Sequence, residues 1–174
     1  MRKIGNIMGK FYSTKTYGND RGLSCVFRQW RSNHSHCSLL HGYSIGVKVI
    51  FECETLDERN WVMDFGGLKD FKSWLEYMFD HTLLIAKDDP FLETFKVVSE
   101  LTMGGGNTII EEGRVCDLRI VDAVGCERFS ELAYNKMMEI LTTQKESGIL
   151  LNDTVRVKSV EVFEHGANSA IYEG

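Results

Sequence analysis

Between residues 43 and 54 the chain reads YSIGVKVIFECE. Ile45, Val47, Val49, Phe51 and Cys53 fall on one side of a strict alternation, and Gly46, Lys48, Ile50 and Glu52 fall on the other. This pattern predicts a strand with one apolar and one more polar face, in a sheet buried on one side. Two earlier stretches, KFYSTKTY and GLSCVFRQW, are rich in β-branched and aromatic residues and are separated by the turn signal GNDRG. The period then changes. In VMDFGGLKDFKSWLEYMF, residues Leu68, Phe71, Leu75 and Met78 recur at helical intervals, which predicts an amphipathic helix. DHTLLI leaves that helix, DPFLETFKVVSEL reads as a short further helix and DLRIVDAV as a strand. CERFSELAYNKMMEILTTQ is helical, with Phe129, Leu132, Ala133, Met137, Ile140 and Leu141 forming a stripe, and TVRVKSVEVFEH is a closing strand. Strands, helix, strand, helix, strand in that order predict an α+β sandwich, an antiparallel sheet with its helices gathered on one face. The open edges of such a sheet must be covered or paired with another subunit.

Composition narrows the class. The chain has 174 residues, one proline and no Pro/Ser-rich linker, so a single domain over 1–174 is expected. A formal charge of −5 argues against a nucleic-acid binder held by a basic surface. No apolar run is long enough to span a bilayer, and MRKIGNIMGK lacks the apolar core of a secretory signal. The five cysteines are odd in number, scattered and without a CxxC pair; they read as reduced thiols of a cytoplasmic protein. The glycine-rich TMGGGNTIIEEGRVCD is not followed by the Lys-Ser/Thr of a phosphate-binding loop and reads as a plain loop.

The candidate chemistry begins at NHSHCSLLHGYS, where His34, His36 and His41 flank Cys37. Converging imidazoles are metal ligands, and solvated loop histidines are the alternative. A nearby imidazolium or metal favours the thiolate, which makes Cys37 a plausible base or nucleophile; the alternative is a small buried hydrophobe. At Asp80-His81 a carboxylate could hold an imidazole in one tautomer, although adjacent side chains seldom bond directly. Glu164 ends an apolar strand, where a carboxylate is costly to bury unless it is answered, for example by two N–H donors of a pterin or guanine edge.

In their order, CSLLHGYS, VMDFGGLKDF, FDHTLL and VEVFEHGANSAIY resemble the 6-pyruvoyl-tetrahydropterin and 6-carboxy-tetrahydropterin synthase family over roughly residues 21–90 and 123–173, with 96–122 as an insertion. The resemblance implies the tunnelling fold, an antiparallel sheet with two helices on one face, assembled as a homo-oligomeric trimer or hexamer with active sites between subunits. It implies 7,8-dihydroneopterin triphosphate as substrate. Cys37 would be the proton-abstracting base, Asp80 and His81 its tuning and relay pair, and Glu164 the anchor of the pterin ring. The short spacing from Cys37 to His41 resembles the 6-carboxy branch, which feeds deazapurine and queuosine-type pathways. The family holds zinc with three histidines, one in Ala-His-Arg and two in His-Gly-His. Here Phe27 precedes Arg28 and the second motif reads His41-Gly42-Tyr43, so only His41 matches. Either His34 or His36 rebuilds a zinc site beside His41, or the protein is a metal-free pterin or purine binder with altered or lost catalysis. Where the family has Pro-Thr-x-Glu, GCERFSE stands, with Glu127 and Cys126 as substitutes; Arg28 or Arg31 could act on phosphates.

Overall fold

The computed structural model describes residues 9–102, 113–150 and 152–174. In chain order these form β1 (Phe11–Tyr17), β2 (Ser24–Phe27), β3 (His41–Ser44), β4 (Gly46–Cys53), α1 (Lys69–Phe79), β5 (Thr82–Ala86), α2 (Leu92–Glu100), β6 (Asp117–Val121), α3 (Cys126–Glu146), β7 (Arg156–His165) and β8 (Asn168–Glu173). One sheet has the order β1-β4-β7-β8 and is antiparallel throughout. The alternation buries Ile45, Val47, Val49 and Phe51 fully on one face, but Gly46 and Glu52 of the expected polar face are buried as well, Glu52 answered by Arg156 and Lys10. Helices α1 and α3 cover that face through Phe71, Leu75, Phe79, Phe129, Met137 and Leu141, all in one apolar cluster. The fold is α+β, as the patterning predicts.

Three features depart from the sequence reading. The stretch YSIGVKVIFECE is two strands, because the chain breaks at Ile45, whose N–H donates to Leu23 O at 3.0 Å. A second sheet, of order β3-β2-β5-β6, joins β2 to β5 and β5 to β6 in parallel, whereas an antiparallel sheet alone was expected. The β5–β6 pairing follows from α2, since parallel neighbours need a long crossover and a helix supplies it. Finally, β7 is followed by β8, a largely exposed edge strand beyond the His165–Asn168 turn. Of the expected insertion at 96–122, residues 96–100 end α2, Thr102 bridges Arg114, and 117–121 pair with β5 as β6. Residues 103–112, including the glycine tract, lie outside the described residues.

Two local devices prepare the site. Aromatic rings run in a continuous series from α1 to the second sheet: Phe71 on Trp74 (5.8 Å), Trp74 on Phe79 (6.0 Å), Phe79 on Phe129 (5.3 Å) and Phe129 on Phe27 (5.1 Å). At the end of α1 the chain turns sharply, with His81 in the left-handed region at φ 55°. The Thr82 hydroxyl closes the turn by donating to Met78 O at 2.8 Å. All five cysteines are free thiols. Among the described residues no helix is long and apolar enough to cross a membrane.

Candidate functional site

The site is assembled by strand register. Cys25 pairs with Tyr43 and Phe27 with His41 across β2 and β3. Residues two apart on a strand share a face, so Cys25, Phe27, His41 and Tyr43 project from one side, and diagonal aromatic neighbours come within reach. The rings of Phe27 and Tyr43 stack at 3.9 Å and 10°. His41 tilts against Tyr43 at 4.5 Å. Phe27 is fully buried, so Tyr43 rests on a fixed support while its own ring is half-buried.

Cys25 lies directly across the strand pair from Tyr43. Burial first, and then the charges of Glu164, Cys37, Cys126 and Cys25, push the Tyr43 phenol up to about 12. Glu164 comes from a bulge in β7: Phe163 pairs with Ser169 and His165 with Asn168, so Glu164 is the extra residue. Bulges re-aim side chains next to functional sites. Asn19 secures this bulge, its amide donating to Glu164 O at 3.0 Å and also to Ser44 O. The Cys126 thiol approaches Glu164 Oε1 at 3.8 Å. A carboxylate offers about four lone-pair positions, so this long thiol contact leaves Glu164 with acceptor capacity. Burial, then Glu164 and Glu127, push the Cys126 thiol up to about 12. Cys25 is likewise pushed up to about 12, by burial and then Cys126. Both of these thiols are therefore held protonated at neutral pH.

Cys37 is half-buried in a short 3-10 turn, His36–Ser38. Its N–H donates to Ser35 Oγ at 3.2 Å, and its carbonyl accepts from Gln29 N at 2.7 Å. Gln29 also packs on Gly125 at the start of α3. A Cβ on Gly125 would sit 2.7 Å from Gln29 Nε2, and the φ of +115° there is one that residues with a Cβ rarely adopt. Glycine at 125 thus lets the Cys37 loop meet the helix start that carries Cys126 and the exposed Glu127.

The other predicted residues are placed as follows. Asp80 and His81 do bond directly, Nδ1 to Oδ1 at 2.5 Å, because the left-handed His81 backbone brings adjacent side chains together. The imidazole is 85% exposed, and the pair is tied to the Tyr43 neighbourhood through His81 N–H donating to Ser24 O at 2.6 Å. Arg28 is engaged elsewhere: its Nε donates to the buried Asp89 at 2.9 Å. Arg31 pairs with Asp88 at 2.5 Å on the surface, beside a cleft of about 230 Å³ that Gln29 and Ser32 also line.

His34, His36 and His41 are exposed, and the structure does not gather them: among the described residues no three His, Cys, Asp or Glu side chains form a group able to hold a metal ion. His41 Nδ1 lies 2.8 Å from Leu39 O. Catalytic zinc sites use three protein ligands, and here a stacked phenylalanine and tyrosine flank one imidazole. The residues present do not fit such a centre. Tyr43 and Phe27 read in the sequence as lost ligands; that they form a stack follows only from the register. Asn19, Gln29 and Gly125 were not foreseen. Gly125 immediately before a helical stripe was the one visible signal.

A family model described as 6-pyruvoyl tetrahydropterin synthase matches residues 20–174. The 6-carboxy-5,6,7,8-tetrahydropterin synthase of Rickettsia conorii is 33% identical over 58 residues, 33% of this chain and 42% of that protein. The enzyme of that name from Aquifex aeolicus is 36% identical over 64 residues, 37% of this chain and 40% of its own. The matches thus span about two-fifths of the length of these curated relatives. Among solved structures, an uncharacterised protein of Wolinella succinogenes has a TM-score of 0.67 at 20% identity, covering 95% of this chain and 97% of its own. The 6-pyruvoyl tetrahydropterin synthase of Plasmodium falciparum has a TM-score of 0.59 at 14% identity, covering 95% and 98%. At these identities the structural likeness shows the fold.

Proposed function

Since the chain belongs to the 6-pyruvoyl tetrahydropterin synthase family, we propose that it is a lyase of the 6-carboxy-tetrahydropterin branch acting on 7,8-dihydroneopterin triphosphate or a related reduced pterin. The observation that carries this reading is the meeting of Glu164, aimed by the β7 bulge, with Cys126 at the start of α3, 3.8 Å apart in space and far apart in sequence. Glu164 accepts from the N–H edge of the ring, a charge-assisted contact that fixes its orientation. Cys37 removes a proton from the side chain of the bound pterin, and triphosphate leaves. The Asp80–His81 pair relays protons from its exposed position; in a trimer or hexamer it reaches the Cys37 pocket of a neighbouring protomer. The unpaired sheet edges, with Phe11, Ile120 and Ile171 exposed on them, support such an assembly. Glu127, exposed at the start of α3 beside Cys126, is a further candidate to touch the ring. Arg28 acts as a positioning residue through Asp89, and the more exposed Arg31 is the choice for a phosphate tail.

The test is incubation of the protein with 7,8-dihydroneopterin triphosphate. Release of inorganic triphosphate together with a new tetrahydropterin product is expected. Intact substrate after prolonged incubation contradicts the lyase reading. A second reading, favoured by the Phe27–Tyr43 stack, is a metal-free pterin or purine binder with altered or lost catalysis. It predicts saturable binding of the same compound with no triphosphate released.

A further inference from the structure

We propose that this site works without a metal ion. The Phe27–Tyr43–His41 stack forms its floor, and the Tyr43 hydroxyl donates a hydrogen bond to an acceptor atom of the bound heterocycle while Glu164 accepts from that heterocycle's N–H groups. The identity of the ring rests on the pterin reading above; the statement about metal does not.

Three observations carry the inference. First, the stack is built into the sheet. The β2–β3 register sets Phe27 and Tyr43 as diagonal neighbours, and their centroids are 3.9 Å apart and nearly parallel. Second, it cannot easily open to admit an ion. Phe27 is fully buried, with Phe129 set edge-on against it at 5.1 Å and 86°. The ring of Phe129 is in turn held by Phe79 at 5.3 Å. Third, the polar atoms suit a flat ring better than a cation. His41 is the one imidazole on the stack, and its Nδ1 faces Leu39 O at 2.8 Å. A phenol carries its proton at neutral pH and donates, whereas an ionised carboxylate only accepts.

A donor at Tyr43 and an acceptor at Glu164 are complementary to a 2-amino-4-oxo heterocycle, which presents N–H groups and acceptor atoms in one plane. Both pterins and guanine have this pattern. The exposed His41 ring, tilted on Tyr43 at 4.5 Å, is the member of the stack open to such a ring, and its contact does not select between them.

The experiment uses the whole chain. The protein is dialysed against zinc and then buffer, and bound metal is counted by atomic emission. Separately, 7,8-dihydroneopterin is titrated against wild type and Tyr43→Phe, each with and without EDTA. The expected results are far less than one zinc per chain, wild-type affinity unchanged by EDTA, and binding by Tyr43→Phe weakened about three- to tenfold, the worth of one neutral hydrogen bond. Tyr43→Phe keeps the stack, so an unchanged thermal midpoint separates a lost donor from a damaged fold. One tightly held zinc per chain, or affinity abolished by EDTA, overturns the proposal; equal affinity in Tyr43→Phe overturns the role of the hydroxyl. If wild type binds no reduced pterin, the pterin reading fails, and the zinc count alone then decides whether the site is metal-free.

Discussion

Replacing Glu164 with glutamine weakens binding of 7,8-dihydroneopterin by about ten- to a hundredfold. The magnitude follows from the bond removed. Hydrogen bonds to a charged partner contribute about 1.5–3 kcal/mol, and about 1.4 kcal/mol is tenfold in affinity. Glutamine preserves size but replaces one acceptor oxygen with an NH2 group, which would face the N–H edge of the ring donor to donor. The backbone should be unaffected, because the bulge that aims residue 164 is secured through its carbonyl by Asn19 at 3.0 Å and not through the carboxylate. The Cys126 thiol contact at 3.8 Å is long, and its loss should cost little. Isothermal titration with an unchanged melting temperature is the appropriate pair of measurements. Equal affinity in the variant would remove Glu164 from the site.

Replacing Cys37 with alanine is expected to leave that affinity nearly intact and to lower kcat by about 10²–10⁴-fold, the usual contribution of a positioned general base. The contrast between the two variants separates grip from chemistry. This role is proposed for Cys37; Cys25 and Cys126 are both pushed up to about 12, with burial the leading cause. Its turn is held by backbone contacts, Gln29 N–H to Cys37 O and Cys37 N–H to Ser35, which alanine retains. Single-turnover release of triphosphate measures the effect. Equal rates for wild type and variant would assign proton abstraction to another group.

The sequence made the periodic elements legible. The alternation of β4 and the stripes of α1 and α3 are local, and each burial follows from spacing alone. The parallel pairs of the second sheet were not legible, because pairing between β2 and β5 depends on where α1 returns the chain, which no local period encodes. The edge strand β8 is illegible for a different reason: it is short and mostly exposed, so its alternation carries little apolar signal. At the site, Cys37, Glu164 and the Asp80–His81 pair stand out as chemistry-bearing residues in sequence. Their surroundings do not. The direct bond between Asp80 and His81 required a left-handed backbone at residue 81, and the partnership of Phe27 with Tyr43 required the register of β2 on β3. Read one by one, those two aromatic residues are merely absent ligands; paired, the buried Phe27 becomes the support on which Tyr43 rests.

In this proposal Glu164 and Tyr43 together hold one flat ring. The most direct measurement is a crystal structure of the Cys37→Ala protein with 7,8-dihydroneopterin triphosphate. It should show the Glu164 carboxylate on the N–H edge of the ring and the Tyr43 hydroxyl within hydrogen-bond distance of a ring acceptor. A pterin bound at any other place, with Glu164 and Tyr43 both untouched, would contradict the account.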